Sequence, residues 1–169
     1  MDKFIEKLEE YKIFNYLLPG IIFTYLLKYY VGIDIFQSNV IEMAFIFYFI
    51  GSVISRFGSV VIEEILKKIK FIKYSNYNDY INAVKKDDFI KKLLISNNTY
   101  RTLCAGFLLI SIIKGVKELV NYFNLQTGII YTIVIIFGFI LYLLSFKKQT
   151  GIIVKRVDEV KSEENKTEN

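Results

Sequence analysis

Long apolar runs separated by charged stretches dominate this chain, and their lengths predict helices that cross a bilayer. Four runs stand out, at about 13–31, 40–66, 102–123 and 129–146, against the roughly 20 apolar residues that a spanning helix needs. The stretch 40–73, VIEMAFIFYFIGSVISRFGSVVIEEILKKIKFIK, organises the rest. It starts as an apolar helix long enough to span and carries Arg56 and a ladder of small residues inside that span. It then runs on into a lysine-rich, half-apolar continuation.

Between the runs the pattern changes character. Residues 2–12 place Phe4, Ile5, Leu8 and Tyr11 on one face with charges between them, which predicts a short interfacial helix feeding the first span. Within that span Pro19-Gly20 removes a backbone donor, so the Asn15 carbonyl is left free and the helix is expected to kink. Tyr29 and Tyr30, beside Lys28, mark its far interface. In the polar segment 67–101, Ser75 to Asn78 read as a turn and 79–86 as a short helix capped by Asn78 or Asp79. A further helix starts at Asp87-Asp88, with Phe89, Ile90, Leu93 and Leu94 as its apolar stripe, and can run straight into the third span. Together with an extension of the second span it predicts an antiparallel cytoplasmic hairpin. The third span is the least regular, because its clean apolar run stops at Ile113. The fourth ends at Lys147-Lys148, and the polar tail 147–169 has, from Gln149 onward, the makeup of a solvated, disordered terminus.

Charge sets the orientation. Eighteen of the 22 basic residues lie in the amino-terminal stretch, the segment 67–101 and the tail. The positive-inside rule therefore puts both termini and that segment in the cytoplasm. Composition fits the same class: 53% of the 169 residues are hydrophobic, with a mean hydropathy of +0.36. The net charge of +5 belongs to lysines beside apolar runs, which points to anionic headgroups and not to nucleic acid. Absence of histidine excludes imidazole triads and histidine zinc sites, and the single cysteine, Cys104, excludes an intrachain disulfide and reads as a packing residue. No phosphate loop, GxSxG or HExxH occurs, so neither an enzyme nor a cofactor is expected.

Three groups of residues carry what chemistry there is. In the second span Ser52, Arg56, Ser59 and Glu63 share one helical face, near Gly51, Ser55 and Gly58, and that face is expected to turn inward. An arginine inside a span costs on the order of 2.5–3.5 kcal/mol or more without partners; Asn15, at similar depth beside Pro19, is the expected acceptor. Either Arg56 locks the bundle or it serves a pore or gate. In the third span Lys114, Lys117, Glu118 and Asn121 share a face, and they either meet outer headgroups or line a cationic outer vestibule in an oligomer. Lys67, Lys68, Lys70 and Lys73 read as an anionic-lipid contact.

The run FIGSVISRFGSVVIEEILKK, with NYLLPG upstream and NNTYRT downstream, resembles an uncharacterised group of small four-span bacterial membrane proteins over residues 13–105. The resemblance implies an inner-membrane location and, by association, a role as membrane effector or accessory in anti-phage defence. The isoleucine, lysine, asparagine and tyrosine bias suits an AT-rich bacterial genome. The sequence thus predicts an all-α, four-transmembrane-helix bundle with a cytoplasmic helical hairpin between helices two and three. Expected functions are an oligomeric channel-like or membrane-perturbing effector or, alternatively, a non-conducting anchor or scaffold. The expected partners are the bilayer, further copies of the chain, and a soluble cytoplasmic protein.

Overall fold

The computed structural model describes residues 13–124 and 127–167, with side chains for 15–124 and 132–160. The interfacial helix expected over 2–12 lies outside the described residues. Among these, every regular element is helical. Helix α1 is composite, with a π segment Ile13–Leu17, a regular stretch Leu18–Leu26 and a second π segment Leu27–Val31. Helix α2 runs Val40–Lys68 and contains a π segment, Gly58–Ile62. Helix α3 is Tyr77–Lys86, α4 is Phe89–Phe123 and α5 is Thr127–Thr167.

The helix ends follow from local chemistry. Asn39 caps α2, its side-chain oxygen accepting from the N–H groups of Ile41 at 2.9 Å and Glu42 at 3.5 Å. Gly32 closes α1 at φ 74°, a left-handed position that suits a residue without Cβ. In the loop that follows, the Asp34 carboxylate takes the Lys28 ammonium at 2.9 Å and the Phe36 N–H at 3.0 Å. Those two donors hold its carboxyl below the usual carboxylate range. Asp87 accepts from the Phe89 N–H at 2.8 Å and so caps α4, the role expected for the Asp87-Asp88 pair.

Three expectations change here. Helix α3 begins at Tyr77, inside the stretch read as a turn, because Tyr77, Tyr80 and Ile81 form a half-buried face that draws the start upstream. The extension of α2 stops at Lys68, so the segment beyond it is α3 packed on the first turns of α4. The continuity that the pattern allowed is present, the hairpin helix and third span being a single helix of 35 residues. Finally, the tail read as disordered continues α5 as helix to Thr167, since extending an existing helix through lysine, glutamate and valine needs no new nucleus.

Interhelical contacts fix direction and register. A Cβ on Gly20 would sit 1.8 Å from the Phe47 carbonyl oxygen, and one on Gly51 would sit 1.8 Å from that of Tyr16. The α1 and α2 backbones therefore touch, antiparallel, at two reciprocal points. Gly58 faces Ala105 and Arg101, which sets α4 antiparallel to α2. Gly106 faces Phe23 and Ile54, which sets α4 parallel to α1. Helix α5 lies parallel to α2, with Ser52 opposite Tyr142 and Ser59 opposite Lys148. Phe23, Leu27, Val31, Ile54, Phe57, Ala105, Ile110 and Leu141 form the core where these helices meet.

Among the described residues two helices, α2 and the part of α5 from Thr132 to Val160, are by length and composition long and apolar enough to cross a membrane. The sequence had marked four. The regular part of α1 is only 9 residues between its π segments, and the apolar run of α4 is confined between Arg101 and Lys114. Both shortfalls are local, and the second has a structural counterpart. The Lys117 ammonium donates to the Val31 carbonyl at 2.7 Å and the Gly32 carbonyl at 3.3 Å, closing the end of α1.

Candidate functional site

The most heavily charged buried point of the described residues is Glu63, one turn from the end of α2. Its side chain is 8% exposed and takes three cations from three helices. Arg101 of α4 donates to Oε2 at 2.6 Å, while Lys67 of α2 and Lys148 of α5 reach Oε1 at 2.8 and 3.0 Å. Glu64 supports the same lysines, at 3.2 Å from Lys67 and 3.3 Å from Lys148. Two carboxylates thus face three cations, and α2, α4 and α5 are tied at one level.

The π segment of α2 completes the site. In the widened turn the Glu63 N–H donates to the Gly58 carbonyl in place of the Ser59 carbonyl. The Ser59 carbonyl then accepts from Lys148 at 2.6 Å. A backbone irregularity on α2 and a lysine on α5 therefore satisfy each other across the helix contact. The Arg101 guanidinium is positioned beside it by Gly58, whose missing side chain leaves room for the Arg101 backbone and stem.

Of the residues marked in the sequence, Ser52, Ser59 and Glu63 all meet α5 or the cation cluster. Ser52 lies 3.4 Å from the Tyr142 hydroxyl and donates to the Phe49 carbonyl at 2.9 Å. Arg56 is half-buried on the same face and makes no hydrogen bond or ion pair among the described residues. The expected bond to Asn15 is therefore not formed. Asn15 is fully buried on α1, which crosses α2 at Gly51, and Arg56 lies about 140° around the helix from Gly51 at 100° per residue. Register differs as well: the contacts of Gly51 with Tyr16 and of Gly20 with Phe47 put Asn15 level with Ser52, about one turn from Arg56. Pro19 is buried in the α1 crossing, and the π segment just upstream opens the helical ladder through an inserted residue as well as through the missing donor.

At the opposite end Lys114 pairs with Glu118 at 2.9 Å and lies 5.9 Å from the Tyr30 ring centre. With Lys117 on the α1 carbonyls, this group ties α4 to the end of α1 within one chain. Among the lysines read as a lipid contact, Lys67 belongs to the Glu63 cluster and also lies 4.9 Å from the Tyr74 ring centre. Lys68, Lys70 and Lys73 are exposed. Lys70 takes a left-handed φ of 61° where α2 ends. Cys104 is exposed on α4 and so does not serve as a packing residue.

Comparison with protein-family models, with curated proteins and with solved structures finds no match. The cluster is an ion-pair centre that joins three helices. It holds no nucleophile paired with a base, and its carboxylates are engaged by fixed cations. It couples the end of α2 to the long helix α5 and to the shaft of α4.

Arg101 and Lys148 were not singled out in the sequence, although each was legible as a charge at the edge of an apolar run. Counting depth would have placed both level with Glu63.

Proposed function

We propose that this chain is a four-span protein of the bacterial cytoplasmic membrane, with both ends and the segment 67–101 inside, that works as a non-conducting anchor or scaffold. The observation that carries the reading is α5. It continues unbroken over 41 residues, beyond the lysine pair at 147–148 and the Glu63 cluster, as a helix of about 60 Å. A membrane helix extended in this way, clasped to its neighbours by Lys148, presents a rigid rod to the cytoplasm. The alternating directions of α1, α2, α4 and α5 support four crossings.

A second reading, the channel-like or membrane-perturbing effector, has one specific observation in its favour. Arg56 sits half-buried among the apolar and small residues of α2 between Met43 and Ile62 with no described partner, and such residues often mark an ion path. The two readings separate in liposomes. As an anchor, the purified protein leaves vesicles tight to ions and small dyes while remaining assembled in mild detergent. Leakage that Arg56→Leu abolishes, with insertion unchanged, would replace the anchor with the effector.

A further inference from the structure

Where α2 ends, the chain turns back on itself. The Lys70 N–H donates to the Lys67 carbonyl at 3.0 Å and the Phe71 N–H to the Leu66 carbonyl at 2.9 Å, the paired bonds of a helix end that reverses through one left-handed residue. Glycine is the usual residue at that position, yet this chain keeps Lys70 there, at φ 61°. Beyond the turn the Tyr74 ring centre lies 4.9 Å from the Lys67 ammonium, which itself reaches Glu63 at 2.8 Å. Residues 70–74 therefore run back along the last turn of α2, towards the Glu63 cluster.

The side chains of this hook are placed against the habit of the motif. The residue after the left-handed position ordinarily packs its side chain onto the last helical turn, but Phe71 is 75% exposed, and Ile69 is 65% exposed. Lys68, Lys70 and Lys73 alternate with them and are exposed as well. No acid lies between Glu64 and Asp79 to balance these charges. Ile69 is only about 9 Å along the axis from Glu63, the level at which Arg101 and Lys148 bound the apolar runs of α4 and α5, and the chain returns from there. A headgroup layer is about 5–8 Å deep, so in a membrane the hook spans it. Apolar tips in that layer reach the acyl boundary while lysines beside them meet lipid phosphates. A second copy is the wrong occupant, because it would set the same lysines against each other, and a soluble protein would have to displace the headgroups already there.

We propose that residues 67–74 dock on the cytoplasmic leaflet as a hook for anionic lipid, with Ile69 and Phe71 inserted at the acyl boundary and Lys68, Lys70 and Lys73 on lipid phosphates. The proposal rests on the membrane-anchor reading and names the lipid class that such an anchor selects. It also divides the four lysines that the sequence groups together, since Lys67 serves the Glu63 cluster and the other three serve the leaflet.

The chain has no tryptophan, so a Phe71→Trp protein carries a single indole at the proposed site. Reconstituted into vesicles of phosphatidylglycerol and phosphatidylcholine with brominated acyl chains, it should be quenched about threefold more than Phe89→Trp, whose side chain is 59% exposed but which starts α4 about 18 Å from Arg101, beyond the headgroups. Vesicles of phosphatidylcholine alone, or Lys68→Gln, Lys70→Gln and Lys73→Gln together, should remove that difference. Equal quenching at both positions in anionic vesicles, with the indole at 71 open to acrylamide from the water, overturns the hook and leaves an inserted anchor standing. Shielding from acrylamide without quenching by brominated lipid overturns it too, because protein and not lipid then covers Phe71. Quenching that is as strong in neutral as in anionic vesicles overturns the selection of anionic lipid. A protein that fails to float with the vesicles overturns the membrane reading and the hook together.

Discussion

Replacing Gly51 or Gly20 by alanine should destabilise the protein by on the order of 3 kcal/mol, at the upper end of overpacking effects. At both positions the added methyl would meet a backbone carbonyl at 1.8 Å, and a helix backbone has no rotamer to yield. The two helices must move apart, which strips contact from the neighbouring core around Phe23 and Ile54. Because either substitution alone separates the crossing, the double variant should cost less than the sum of the two. Gly115→Ala and Gly138→Ala are the controls. Nothing lies within 4 Å of a Cβ at either, so alanine should be neutral or gain up to about 1 kcal/mol of helix propensity. Thermal or SDS unfolding in detergent reads the difference. A tolerant Gly51→Ala protein would mean that the backbones do not touch.

Glu63→Gln is the second large effect, expected at about 2–4 kcal/mol. Removing one partner of a buried ion pair costs about 3–5 kcal/mol, and the partial exposure of Lys67 and Lys148, at 35% and 27%, takes some of that away. Three cations would then crowd a site holding only Glu64. Glu64→Gln should cost under about 1 kcal/mol, as its side chain is 47% exposed and screened by solvent. Lys148→Met falls between, since it leaves the Ser59 carbonyl without the donor that it has now. The same unfolding assay, with protease release of the α5 extension as second readout, orders the three. If Glu64→Gln were as damaging as Glu63→Gln, the clasp would not be centred on Glu63.

The helical class and the position of α2 were legible because hydropathy and spacing encode them directly, whereas its inward face, read as Ser52, Arg56, Ser59 and Glu63, is centred on the neighbouring Gly51, Ser55 and Gly58. The continuity of α4 was foreshadowed by the absence of any breaker between Asp88 and Thr102. What escaped was lateral placement. Arg56 and Asn15 were read at similar depth, but the crossing at Gly20 and Gly51 sets Asn15 level with Ser52 and turns Arg56 away, in register and in azimuth. The π segments escaped as well, since an inserted residue in Gly58–Ile62 is stabilised by a lysine 85 or more positions away. The helical tail was missed because charge was read as solvation when it also suits the continuation of a formed helix.

Helix direction relative to the membrane underlies everything proposed for this chain, and labelling single cysteines in intact cells measures it directly. In a Cys104→Ser background, an impermeant thiol reagent should label Ser38→Cys and Asn124→Cys from outside, and should reach Ser75→Cys and Gln149→Cys only after the membrane is opened. Outside labelling of Ser75→Cys, or equal labelling of all four in a fraction that stays soluble, would contradict the account.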